Sequence, residues 1–358
     1  MTINRVEIEL GGKTIVLEHG KVANQANGAV LLSCGDTVVL ATATMNPKSR
    51  EGMNFFPLTC DYEERKYAVG KIPGGFVKRG GRPSEKAILT SRLIDRPIRP
   101  LFPDGMRNDV QIIALPLSME PDVPADILSV VASSAALAIS DIPWNGPLGS
   151  VRVCRVNGEL VLFPTLEQMG EADMELTVAG YDGKVMEIEL ESKEISEDDL
   201  MAAMDLAHEA INKLVDLQKQ LIAKVGKPKV EVAVVGADPE FVKEISAKIE
   251  DNVRNAIRNP ENAGKESAAH QLKDELVKSL AADYPEREAE IGEVLEKIFK
   301  KNVRKMILEE SARPDGRALD ELRPLSAEVG LLPRVHGSGL FSRGQTQVLT
   351  TLTLGSLD

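Results

Sequence analysis

Residues 27–44 read NGAVLLSCGDTVVLATAT, and residues 336–353 read HGSGLFSRGQTQVLTTLT. The two align without a gap, with Gly28/Gly337, Leu31/Leu340, Ser33/Ser342, Gly35/Gly344, Thr37/Thr346, Val39/Val348, Leu40/Leu349, Thr42/Thr351 and Thr44/Thr353 identical. Unrelated segments of that length would share about one identity by chance. Both copies have the period of strand, glycine turn, strand, so the chain begins the same domain twice. The second copy runs only from RPDGR at 313–317 to Asp358, too short to complete a sheet, and this predicts the front part of a longer protein.

Strand periodicity continues outward from the first copy. Val6, Ile8 and Leu10 alternate, as do Ile15 and Leu17, with Gly11-Gly12 as the turn between them. The string GGKT at 11–14 is therefore a turn. A phosphate loop would need glycine at position 7, which is Glu7. Further hairpins are predicted at Asn157-Gly158 and Asp182-Gly183. Helices interleave: 84–96 with Ser84 as N-cap and Pro97 as stop, the small, apolar and buried 126–140, and Ser196 to Val225 with a Ser-x-x-Asp cap and Gly226 at its end. Mixed elements with many hairpins give an α+β domain over about 1–226.

After a linker at 227–237 the texture changes. Phe241, Ile245, Ile249, Val253 and Ile257 recur at helical spacing and stop at Asn259-Pro260. Leu272, Leu276 and Leu280 follow, then Ile291, Leu295, Ile298 and Met306 in a helix begun by Pro285. Residues 238–309 thus read as all-helical, and their interspersed charges as a solvated face. Residues 310–358 carry the second copy.

The chain of 358 residues has a formal net charge of −12, yet residues 71–100 hold eight cations, Lys71, Lys78, Arg79, Arg82, Lys86, Arg92, Arg96 and Arg99, against Glu85 and Asp95. Clustered cations on an acidic protein point to a polyanion, because counterion release rewards them. With four Tyr, one Trp and eight Phe, single-strand binding leans on charge more than on stacking. Cys34, Cys60 and Cys154, and the histidines His19, His208, His270 and His336, lie too far apart for a zinc or redox motif. The opening MTINRVEIEL has no basic or apolar leader region and no run approaches eighteen apolar residues, so a cytoplasmic protein without a membrane segment is expected.

Together, KIPGGFVKRGGRPSEKAILTSRLIDRPIRPLFPDG at 71–105, the opening KVANQANGAVLLSCGDTVVLATAT, FFPLTCDYEERKYAVGKIPG and RPDGR with PLSAEVGLLPRVHGSGLFSRGQTQ resemble the bacterial polynucleotide phosphorylase family over the whole chain. The resemblance implies two ribonuclease PH-like cores (ribosomal protein S5 domain 2-like) flanking an all-helical domain, with KH and OB-fold modules after them. It implies a homotrimeric ring threaded by single-stranded RNA, and association with an RNA-degradation complex. The implied reaction is processive 3′→5′ phosphorolysis, with inorganic phosphate as co-substrate, nucleoside diphosphates as products and Mg²⁺ or Mn²⁺ assisting.

In that family a pore loop carries Phe-Phe-Arg-Arg. Here it is Phe76-Val77-Lys78-Arg79, with Gly80 where a Glu is common, so one stacking face is lost and one guanidinium fork becomes a point charge. Glycines flank Phe76, Lys78, Arg79 and Arg82, which makes them candidate RNA contacts. Arg92, Arg96 and Arg99 share roughly one helix face, where they either meet RNA phosphates or pair with Asp61, Glu63 or Asp95. The resemblance puts the catalytic and metal-holding residues in the second core, beyond this chain. In the related passage DMELTVAG at 173–180, Glu175 and Thr177 stand where an Asp and a Lys would act, so the first core reads as catalytically silent and Glu175 as a strand residue. His336 reads as structural, and Arg343 lies in the turn of the second copy. Two functional classes stay open: a phosphorolytic enzyme as the intact protein, and a non-catalytic, RNA-binding and ring-forming unit for this chain taken alone.

Overall fold

The structure, a computed structural model, describes residues 2–49, 55–233, 238–258, 266–281, 283–285 and 287–356. The expected helix stop at Asn259-Pro260 and the end of the expected linker lie outside them. The chain folds as two compact units that divide between residues 235 and 236.

The first unit opens with β1 (Asn4–Leu10), β2 (Lys13–His19), β3 (Gly28–Cys34), β4 (Thr37–Ser49) and β5 (Leu58–Tyr62). Helix α1 (Glu85–Ile98), β6 (Asn108–Ser118) and α2 (Ala125–Ile139) follow, then β7 (Gly149–Val156), β8 (Glu159–Leu162), α3 (Leu166–Glu171), β9 (Met174–Tyr181), β10 (Lys184–Ser192) and α4 (Glu197–Val225). One sheet has the order β1-β2-β3-β4-β6-β5, antiparallel except for the parallel β5–β6 pair; the other has the order β10-β9-β7-β8. Helix α2, buried along its whole length, packs on β3, β4 and β6 of the first sheet and on β7 of the second, and α4 likewise bridges β7 and β9 to β1. The core is therefore continuous from sheet to helices to sheet. Gly28 shows how close that packing is: a Cβ there would stand 2.0 Å from the carbonyl oxygen of Ala136 in α2.

The Asn157-Gly158 and Asp182-Gly183 turns form as read, with Asn157 and Asp182 at φ 53° and 49° and the glycines also left-handed, the geometry of a two-residue hairpin. Ser84 and Ser196 cap their helices, accepting from Ala87 N and Asp199 N. Pro97 does not stop α1. It is buried inside the helix, which runs to Ile98 and into a 3₁₀ turn at Arg99–Leu101, because a proline one residue from the end forfeits only one late hydrogen bond.

Residues 227–230, read as linker, are hydrogen-bonded to this unit. Lys227 N donates to Ile139 O, and the Lys229 ammonium donates to the carbonyls of Leu137, Ala138 and Ser140. A cation on the last carbonyls of α2 satisfies acceptors that the helix cannot, and burial pushes the Lys229 pKa down to about 8.

The second unit holds α5 (Pro239–Arg258), α6 (Glu266–Ala281) and α7 (Glu288–Glu310), whose apolar stripes meet in a core of Phe241, Ile245, Ile249, Val253, Leu276, Leu280, Ile291 and Leu295. Helix α7 begins three residues after Pro285, with Arg287 as N-cap. Strands β11 (Leu325–Val329), β12 (Gly337–Arg343) and β13 (Thr346–Leu352) form an antiparallel sheet. Its pairing reproduces that of β2-β3-β4: Leu340 faces Leu349 as Leu31 faces Leu40, and Gly35 and Gly344 turn at φ 57° and 59°.

Candidate nucleic-acid interface

Strand β5 leaves the sheet at Tyr62, whose N–H donates to Ser91 Oγ on α1 at 2.9 Å. Glu63 N donates to Ala114 O, and a 3₁₀ turn at Lys66–Val69 follows, closed by Gly70 at φ 68°. Met119 N donates to Ala68 O, which fixes this turn to the end of β6. At the far stem Ser84 Oγ donates to Glu64 Oε2 at 2.6 Å while capping α1. The loop 70–83 is thus tied at both ends to buried elements and is exposed between them.

Phe76 stands wholly exposed, its relative accessibility 102%. Gly75 has φ 78°, and Lys78 next to the tip is also left-handed at φ 53°, a conformation that costs a non-glycine residue about 1 kcal/mol. Among the described residues the side chains of Lys71, Lys78, Arg79, Arg82 and Arg92 have no hydrogen-bond or ion-pair partner. The backbone together with Lys71, Lys78, Arg79 and Arg82 lines a concavity of about 830 Å³ between the 3₁₀ turn and the returning arm of the loop. Its carboxylates are spoken for: Glu63 pairs with Arg65 at 2.7 Å and Glu64 accepts from Ser84.

The three helix arginines part company. Arg99 pairs with Asp95 and donates to the carbonyls of Phe56 and Leu58, and the Asp95 hydrogen bond raises its pKa further. Arg96 bridges to β10, 2.9 Å from Glu187 and 2.8 Å from Glu189, partners the sequence reading did not name. Arg92 stays open beside the loop. Asp61, one of the partners considered, accepts from Gln111 instead.

The DMELTVAG passage lies on and before β9. Arg152 on β7 places Nε 3.0 Å from Glu175 and 3.4 Å from Thr177 Oγ1, and Nη2 3.1 Å from Asp126. Glu175 is more than a bare strand residue: it is one arm of a largely buried ion network. Asp173 is held by Arg155 at 2.7 Å, which lowers its pKa, and Arg155 also pairs with Asp199. Carboxylates neutralised in this way do not fit a divalent cation, and no step through a metal is derived for them. Among the described residues no three His, Cys, Asp or Glu side chains converge as metal ligands. His336 Nδ1 accepts from Leu354 N at 2.9 Å, while Arg343 is exposed at the end of β12. None of the described helices is long and apolar enough to cross a membrane.

Sequence reasoning passed over Tyr67 and Lys66, which line the same concavity as the loop cations. An aromatic beside two cations at 65–67, directly before the basic segment, was the available signal.

Residues 11–143 match the family model for the 3′ exoribonuclease family, domain 1, and residues 146–210 that for domain 2. Residues 240–318 match the model for the polyribonucleotide nucleotidyltransferase RNA binding domain. The polyribonucleotide nucleotidyltransferase of Heliobacterium modesticaldum is 51% identical over 350 residues, covering 98% of this chain and 49% of that protein. Those of Halalkalibacterium halodurans and Geobacillus kaustophilus are 46% and 47% identical, each over 98% of this chain and 50% and 48% of their own lengths. The chain therefore spans about half the length of the curated relatives it matches. Among solved structures, rice Rrp46 aligns at a TM-score of 0.46 and 14% identity over 62% of this chain and 94% of that one. An Archaeoglobus fulgidus exosome chain, from a structure with RNA bound to the active site, aligns at 0.43 and 19% over 60% and 87%. The chain is a homologue of polyribonucleotide nucleotidyltransferase corresponding to its N-terminal portion, with the two 3′ exoribonuclease family domains first and the helical domain after them.

Proposed function

We propose that this chain grips single-stranded RNA for a phosphorolytic 3′→5′ exoribonuclease and does not itself carry the chemistry. The observation that carries the RNA reading is the loop 70–83, anchored at both stems, with Phe76, Lys78, Arg79 and Arg82 exposed and, among the described residues, no carboxylate paired to its cations. Arg92 extends the basic path, whereas Arg96 and Arg99, also proposed as contacts, would have to leave Glu187, Glu189 and Asp95 to reach a phosphate. The match of 240–318 to an RNA binding domain model supports RNA as the ligand, with the helical charges taking part rather than serving only as a solvated face.

In the intact protein an oxygen of inorganic phosphate attacks the phosphorus of the 3′-terminal phosphodiester. The bond from that phosphorus to the preceding 3′ oxygen breaks, a nucleoside diphosphate leaves, and the shortened RNA keeps a 3′ hydroxyl. Homology to polyribonucleotide nucleotidyltransferases supports this assignment. Mg²⁺ or Mn²⁺, a cytoplasmic homotrimer, and membership of an RNA-degradation complex belong to the same proposal for the intact protein. So do the borders 1–226, 227–237, 238–309 and 310–358. The direct test is RNA affinity against salt. Replacing Lys78, Arg79 and Arg82 together by Ala flattens log K against log salt by about 2 units, at about −0.7 per lost contact. An unchanged slope overturns the loop as the RNA contact.

A further inference from the structure

We infer that the concavity behind the loop seats one nucleotide of the RNA, with its base stacked on Tyr67. This inference rests on the RNA reading of the loop and adds to it a second aromatic platform, of a different kind from Phe76.

Phe76 stands at the loop tip with nothing packed against its ring. Tyr67 lies on the 3₁₀ turn at Lys66–Val69, half exposed at 56%, and its carbonyl accepts from Gly70 N at 2.9 Å. The turn is itself held to β6 through Met119 N and Ala68 O. A ring presented from an anchored turn loses little freedom when a base settles on it, so the site is formed in advance. The space in front of it is about 830 Å³, within the roughly 300–1,000 Å³ of small-ligand sites and open at the surface so that a chain can pass on. Lys66, Lys71, Lys78, Arg79 and Arg82 surround it, none with a side-chain partner among the described residues, and a phosphate on either side of the stacked nucleotide would meet them. An aromatic floor with a cationic rim is what a nucleotide requires, and it accepts any base, since every base has a π face.

Between Gly70 and Pro83 Phe76 is the sole aromatic and its neighbour Val77 offers no ring, so among the described residues lining the concavity the one other exposed stacking face is Tyr67 at the base of the loop.

The test uses the 358-residue chain, a single-stranded oligoribonucleotide, the same oligonucleotide with one abasic position, and one carrying 2-aminopurine. Tyr67→Ala is expected to weaken binding about tenfold without altering the salt slope, because it removes a stack and no phosphate contact. Tyr67→Phe should bind as the parent does, and 2-aminopurine fluorescence should be quenched by the parent and by Tyr67→Phe but recover in Tyr67→Ala. The abasic oligonucleotide should bind parent and Tyr67→Ala more nearly alike. Unchanged affinity and quenching in Tyr67→Ala overturn the inference. If the Lys78/Arg79/Arg82 variant still loses its salt slope, the RNA reading survives that result; if it too behaves as the parent, both fall.

Discussion

Arg152 Nε stands 3.0 Å from Glu175 Oε1, and the same guanidinium reaches Asp126 at 3.1 Å. The carboxylate of Glu175, in the passage read from sequence as catalytically silent, is thereby balanced inside the fold, and the neighbouring Thr177 is buried and uncharged. Arg152 on β7 thereby ties together residues of α2 and β9.

The chain alone should not release nucleoside diphosphates from RNA in the presence of phosphate and Mg²⁺. Turnover near the roughly 10 s⁻¹ of an ordinary enzyme would refute this. Glu175→Asp is expected to stay inactive as well, because Arg152 still neutralises the carboxylate.

Removing that counterion exposes what it balances. Arg152→Ala leaves Asp126 and Glu175 facing each other in a mostly buried site, and should lower unfolding free energy by about 3 kcal/mol in a urea titration. A change below about 0.5 kcal/mol would mean the network is solvated.

Such pairings mark the limit of what the sequence carried. Turns such as Asn157-Gly158 were legible because a left-handed backbone demands those residues locally, and the repeat was legible because identical strands kept identical register. Arg96 with Glu187, and Arg152 with Asp126, join residues brought together only by the folding of separate elements, so no spacing rule reveals them. Tyr67 was missed for another reason: whether a ring is core or platform depends on its exposure, which a single aromatic in a short turn does not encode.

Glu187 gives a pH signature. Its side chain is 1% exposed, Arg96 Nη1 approaches Oε1 at 2.9 Å as an ion pair, and neither oxygen has a well-directed hydrogen-bond donor. Burial pushes its pKa up to about 7, against the pull of Arg96. The folded state therefore holds this proton more tightly than the unfolded state. The stability it contributes is fully present below about pH 4.5 and is lost as pH rises through about 7. Glu187→Gln should flatten the stability profile across that window by about 3 kcal/mol, as read by thermal melts in matched buffers. An unaltered profile would show that the carboxylate is hydrated.

Ser84 couples helix and loop, since its hydroxyl accepts from Ala87 N and donates to Glu64. Ser84→Ala should cost about 1 kcal/mol of stability from the lost cap. It should also weaken RNA binding more than Ser196→Ala does, although that variant loses an equivalent cap on α4. Equal RNA affinity in the two variants would show that the stem does not position the loop.

Strands β12 and β13 repeat β3 and β4 in sequence, register and turn, yet their surroundings differ. Along β3 and β4 the side chains facing α2 are buried, whereas no described residue from 311 to 356 is buried, and Val348, Leu349 and Leu352 are about half exposed. A ladder of hydrogen bonds without a covering apolar layer opens easily, because opening exposes little that was not already wet. Amide exchange should therefore be faster in 337–352 than in 28–43 by orders of magnitude, at the same pH and temperature. The contrast isolates burial, since propensity and turn chemistry are shared. Matching protection in the two copies would mean that another surface covers β12 and β13 in solution, and light scattering on the same sample would then separate a second copy of the chain from a contact within one.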